Sequence, residues 1–173
     1  MTLPDLDAIL FPNDVPKTGP EIDRLYDLYK LMVSSSEALV ARRQGVNTFF
    51  LTINGALLTA IGLVIQGKGD RHLSAAGVVV LTLTGTILAA AWRSLLISFG
   101  QLNRGKFVVI NRLELLLPAA IYAAEWKALG EGQDPKIYRS FTSREVWVPQ
   151  TLVGVYLVAA LLSILVTADF WTP

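Results

Sequence analysis

Cysteine is absent from the chain, which excludes disulfides, thiol nucleophiles and thiolate metal centres. Histidine occurs once, as His72, in a short polar turn where a solvated loop residue accounts for it better than a ligand. Charge is scarce too. Charged residues make up 17% of the chain, against about a quarter in an ordinary soluble domain, while hydrophobic residues make up 53%. With long uncharged runs and a positive mean hydropathy of +0.49, this composition describes an integral membrane protein. The formal net charge of +1 argues against a general nucleic-acid binder. No HExxH, GxSxG or phosphate-cradling glycine loop occurs, and QGKGDR is too short and lacks the following Lys-Ser/Thr. The first apolar run begins only after about 45 polar residues, which does not fit a cleaved signal peptide.

What is present centres on one stretch, from Leu73 to Leu117. It opens as an uncharged span, passes Trp92 and Arg93 with no turn signal, and runs on until Pro118. As one helix it is roughly 65 Å long, about twice the hydrocarbon thickness of a bilayer, so half projects into water. At 100° per residue, Leu95, Phe99, Leu102, Val109, Ile110, Leu113 and Leu117 form a single stripe with Lys106 near its centre.

Around this rod the chain divides into five parts. Residues 1–19, with Pro4, Pro12 and Pro16, read as an irregular arm. Residues 20–45 read as an amphipathic helix begun by Pro20 and Glu21, interrupted by Ser34, Ser35 and Ser36, and ended at Arg42, Arg43 and Gln44. Residues 46–92 form a two-span hairpin. Residues 93–147 form a cytoplasmic helical region, with a short helix from Ala119 to Leu129 stopped by Gly130 and a capping pair of Thr142 and Glu145. Residues 148–173 supply a third span, closed by Phe170 and Trp171. The fold class is therefore all-α, with three transmembrane helices and a cytoplasmic part extending from the second. Basic residues crowd before the first span and between the second and third. That bias sets the N-terminus in the cytoplasm and the C-terminus outside.

Asn47 and Asn54 lie seven residues apart in the first span. Asn54, near mid-membrane, suits either a polar ring along an oligomer axis or an interhelical hydrogen bond, and the latter is the commoner use of one neutral amide. Arg42, Arg43, Lys106, Glu114, Glu125 and Glu145 sit among apolar or aromatic neighbours and need partners if buried. Such a set serves either a ligand or proton site or an ion-pair network holding helix register, and the network is preferred. Lys106 is expected to find Glu37, Glu125 or Glu145, and Glu114 to meet Arg42 or Arg43.

Several segments resemble the RipA family of small octameric bacterial inner-membrane proteins. The matching residues are Arg42-Arg43-Gln44 with Asn47 and Phe49-Phe50, then Trp92, Leu102-Asn103, Lys106-Phe107, Ile110 and Glu114. Leu117-Pro118, Glu125-Trp126, Tyr138, Glu145 and Pro149 complete the set. The resemblance covers most of the chain beyond residue 28. It implies a ring-like homo-oligomer with a helical cytoplasmic part, surrounded by membrane lipid, with no known enzymatic activity, and it draws Asn103 into the candidate residues.

The expected function is a non-enzymatic scaffold or gated pore in the bacterial inner membrane. The alternative is an effector that permeabilises the bilayer after a cytoplasmic signal, and a membrane enzyme ranks third. No catalytic, metal or cofactor residue is assigned, and no protein partner beyond further copies of the chain.

Overall fold

The computed structural model describes residues 3–12, 15–67, 69–138 and 144–168. Among these residues run the α-helices α1 (Leu3–Leu10), α2 (Gly19–Gln66), α3 (Arg71–Glu114), α4 (Ile121–Ala128) and α5 (Trp147–Ala168), with a 3₁₀ turn at Gly130–Gly132. No strand occurs among the described residues, and α2, α3 and α5 are each long and apolar enough to cross a membrane. The chain is an all-α membrane protein.

Two rods dominate. α2, with 48 residues, is about 72 Å long, and α3, with 44, about 66 Å. Each covers a bilayer and a comparable distance in water. The start of α2 is tied by Glu21, whose carboxylate accepts from the backbone N–H groups of Thr18 at 3.0 Å and Lys17 at 2.9 Å. α3 starts at Asp70, which accepts from His72 N–H at 2.8 Å and Leu73 N–H at 3.1 Å. These ties and the short turn between them fold the rods into an antiparallel hairpin. Past Glu114 the helix closes in tight turns onto Leu116 and Leu117, and Pro118 prevents its continuation. The chain leaves α4 through Gly130, Glu131 and Gly132, all at positive φ, a backbone that glycine adopts without strain.

The hairpin seam follows a seven-residue repeat. On α3 the buried positions Val78, Thr82, Gly85, Ala89, Trp92 and Leu96 alternate steps of four and three, and Ile110 and Leu113 resume the register. On α2, Ser36, Leu39 and Phe50 keep the same repeat, and Asn54 and Ile61 continue it one residue out of phase. α5 packs back along the lipid half of α3, joining Tyr156 to Ile61 and Val78.

Three expectations change here. Residues 3–10 are helical rather than irregular, and α1 is docked by Arg112, whose guanidinium donates to both carboxylate oxygens of Asp7, at 2.5 and 2.7 Å. α2 does not end at Arg42–Gln44: nothing there breaks a helix, so it enters the membrane as one rod. The buried stripe of α3 is also displaced. Leu95 and Leu102 are 42% and 53% exposed while Leu96 is fully buried, because helices that coil around each other repeat at 3.5 residues, and a 100° projection drifts from the true seam. Thr142, half of the expected capping pair, and the closing aromatics Phe170 and Trp171 lie outside the described residues.

Candidate functional site

The polar residues of the hairpin form a ladder of four rungs from mid-membrane to the water-side tip. In the lipid half, Asn54 is 1% exposed. Its amide donates to the Phe50 carbonyl at 2.8 Å, and its Oδ1 accepts from the Tyr156 hydroxyl at 2.9 Å. The phenol reaches this deep because α3 has a glycine opposite. A Cβ on Gly85 would lie 2.3 Å from the Tyr156 ring.

The second rung lies at the membrane edge and joins α2, α3 and the start of the α5 segment. The Trp92 indole donates to Asn47 Oδ1 at 2.9 Å, Asn47 Nδ2 donates to Glu145 at 3.2 Å, and Arg43 Nε donates to the same carboxylate oxygen at 2.6 Å. The Trp92 ring lies parallel to Phe50 with centroids 5.8 Å apart, shielding the network on its lipid side. Arg43 Nη2 is buried with no hydrogen-bond partner among the described residues.

The third rung pairs Ser36, donating to Asn103 at 3.0 Å, with Lys106, donating to Ser35 Oγ at 2.6 Å. At the tip, Glu114 is 1% exposed and accepts three hydrogen bonds: from the Tyr29 hydroxyl at 2.9 Å, and from the N–H groups of Tyr122 at 3.0 Å and Ala123 at 3.1 Å. The last two belong to the first turn of α4, so one carboxylate caps that helix and ties it to α2 and α3. Burial, together with the bond to the Glu114 carboxylate, pushes the Tyr29 phenol well above its ordinary range and keeps the donor protonated.

The structure thus brings Arg43, Asn47 and Glu145 together, sets Asn103 and Lys106 on an adjacent rung, and separates Asn54 and Glu114 from both. Arg42, Glu37 and Glu125 are exposed, and none of them forms an ion pair among the described residues. Two expected partnerships are corrected. Lys106 meets a serine hydroxyl rather than a carboxylate; its half-buried head group keeps partial hydration, so one strong acceptor suffices. Glu114 meets Tyr29 and the α4 backbone rather than Arg42 or Arg43, which lie several turns nearer the membrane.

Tyr29, Ser35, Ser36 and Tyr156 were not legible as partners. A usable signal existed for three of them: the pairs Asn47–Trp92, Ser36–Asn103, Ser35–Lys106 and Tyr29–Glu114, separated by 45, 67, 71 and 85 residues, are all nearly symmetric about Asp70. An uninterrupted antiparallel hairpin requires that symmetry.

Apart from Arg43 Nη2, the ladder is built of donors and acceptors that satisfy one another. Among the described residues no group of three or more His, Asp or Glu side chains could hold a metal ion. A cleft of about 680 Å³ lies in the water half between the α1 arm and the hairpin and is mainly apolar.

No curated protein and no solved structure matches the chain. Residues 26–166, which contain every rung of the ladder, match the family described as Octameric membrane protein family (8xMP). Three apolar spans and this match over most of its length make the chain a member of the octameric membrane protein family, a homo-oligomeric membrane protein.

Proposed function

We propose that the chain is a non-enzymatic scaffold subunit of the bacterial inner membrane, forming a ring that organises the membrane without conducting through it. The observation that carries this reading is Asn54. A polar ring lining a pore needs the mid-membrane amide to face a neighbour or an axis, and here it faces Tyr156 inside its own subunit. The exposed threonines of the spans point the same way. Thr52, Thr59 and Thr84 each donate to the carbonyl four residues earlier, which leaves an outer surface compatible with lipid. Arg43, Lys106, Glu114 and Glu145 are engaged in joining helices, which favours a structural role over proton transfer or catalysis. The N-terminus and the α3–α5 connection face the cytoplasm in this reading, and the C-terminus faces outward, following the basic residues around the spans.

Reconstitution into sealed vesicles loaded with a self-quenching dye and with potassium tests the proposal. The expected result is an oligomer that inserts and releases neither. Steady leakage abolished by substitutions at the exposed threonines would overturn the scaffold reading in favour of a pore. Leakage of the dye itself would favour the permeabilising alternative. Topology is checked by a C-terminal alkaline phosphatase fusion, which should be active.

A further inference from the structure

The water half of the hairpin carries two apolar faces left open in the subunit, one in the cleft beside α1 and the other around α4. On the first flank, the cleft beside α1 has Leu28, Leu31 and Ser35 as its α2 wall and Val109 on its α3 wall. Leu102 stands one heptad before Val109 on the same row and extends this face toward the membrane. On the second flank, α4 leans against the hairpin with Tyr122 edge-on to Phe107 at 5.5 Å, and Lys30 and Glu37 of α2 border it. The row of Leu28 and Ser35 is two residues from the row of Lys30 and Glu37, which is about 160° round the helix. Ile121 of α4 is exposed on this flank, and Val108 and Leu115, one heptad apart on the side of α3 turned away from α2, extend this second face around the back of the rod.

Leu28, Leu31, Leu102, Val108, Leu115 and Ile121 each have more than half of their surface exposed. All lie on the cytoplasmic side of Arg42 or Arg93, so lipid does not account for them. Water-facing helix surfaces are ordinarily polar, and clustered exposed leucines mark a contact.

A closed ring converts each subunit into its neighbour by one rotation, so every copy must present two different faces, one to each side. Rotation about the membrane normal also preserves height above the bilayer. The hairpin register meets that condition. Leu31 lies between Tyr29 and Ser35 and Val108 between Lys106 and Glu114, and these bracketing residues pair with each other, so both faces stand at one level.

We propose that the octamer closes through a heterologous interface in its water half, in which Leu28, Leu31 and Leu102 of one copy pack against Val108, Leu115 and Ile121 of the next. The occupant of the cleft beside α1 is a second copy of this chain. This rests on the ring reading above and is independent of whether the ring conducts.

The absence of cysteine makes the test clean. Leu31→Cys and Ile121→Cys, alone and combined, are treated in membranes with a short flexible bis-maleimide and run on denaturing gels. The combined variant should give a ladder from dimer to eight copies, and each single variant should stay monomeric. Dimers from a single variant would reveal a like-with-like contact and overturn the proposal. Absence of any cross-link, with octamer mass retained in mild detergent, would overturn the assignment of faces alone. A monomer by mass would overturn the ring itself. Separately, Leu102→Glu should lower the oligomer mass while the helical circular dichroism stays unchanged, and an intact octamer from Leu102→Glu/Val108→Glu would also overturn it.

Discussion

The same two helices are joined differently on the two sides of the Arg43–Glu145 pair. On the lipid side the seam is small and dry. Thr82, Gly85 and Ala89 let the rods and α5 approach closely, and the polar contacts between helices include the Asn54–Tyr156 pair and the Ser163 hydroxyl donating to the Ala75 carbonyl at 3.3 Å. On the water side the seam carries Ser36 with Asn103, Ser35 with Lys106, and the buried Glu114. The difference follows from the solvent. Lipid tails are as apolar as leucine, so association there depends on close packing and a few satisfied polar groups. In water, burial of leucine and isoleucine supplies the driving force, and polar residues in the seam serve to set register. One pair of helices thus uses two modes of adhesion, and each mode fails in its own way.

Gly85→Ala should break the lipid half most severely. The new methyl group meets the Tyr156 ring at a distance no side chain tolerates, so the ring must leave and its bond to Asn54 goes with it. Overpacking of this kind costs up to about 3 kcal/mol, and the lost hydrogen bond adds to it. Thermal unfolding in detergent should show a large fall in midpoint, partly restored by Gly85→Ala/Tyr156→Ala; an unchanged midpoint would mean that close packing is not what holds this half.

Glu114→Ala should loosen the tip without unzipping the rods. Three donors lose their acceptor, at a cost of about 2 kcal/mol, borne by the docking of α4. Hydrogen exchange at Tyr122 and Ala123 should accelerate sharply while α2 and α3 inside the membrane stay protected. Glu114→Gln should give an intermediate effect.

Strong acid should release α1. Hydrogen bonding from Arg112 holds the Asp7 carboxyl below its ordinary value. The contribution is therefore fully present above the unfolded value of about 3.9 and is lost as pH falls through the depressed folded one. Proteolytic nicking between α1 and α2 should rise only in strong acid, and Asp7→Asn should produce it at neutral pH.

Lys106→Met should have the smallest effect, within about 0.5 kcal/mol. The substitution strands no carboxylate, and methionine fills the seam beside a serine whose hydroxyl can find water. A fall as large as that of Glu114→Ala would show that the lysine has an anionic partner outside the subunit.

How much of this was legible varied with the range of the interaction. The uninterrupted rod of α3, its stop before Pro118 and the short helix ended by Gly130 follow from local rules, and the structure places them within a few residues of the expected limits. The three serines of α2 were misread as an interruption because each looks wrong in an apolar stripe. Ser35 and Ser36 face Lys106 and Asn103 once the hairpin register is known, and Ser34 donates to the Leu31 carbonyl of its own helix. Lys106 was assigned a carboxylate partner because an ammonium even partly desolvated in an apolar stripe calls for one, and at this half-buried position a serine hydroxyl takes that place. The helicity of residues 3–10 was hidden because its anchor, Arg112, lies 105 residues away.

By itself the amino-acid sequence determined that this chain lives in a membrane, crosses it three times and sends a long helix into water. Runs of uncharged residues and periodic apolar positions act through the solvent at each point of the chain, so they can be read locally. The tertiary structure decided which polar groups satisfy which. It turned Asn54 inward to Tyr156, gave Glu145 to Arg43 and Asn47, and set Glu114 as the cap of α4. Such pairings depend on register between distant segments, and register is a collective result of packing along the whole hairpin rather than a property of any residue in it.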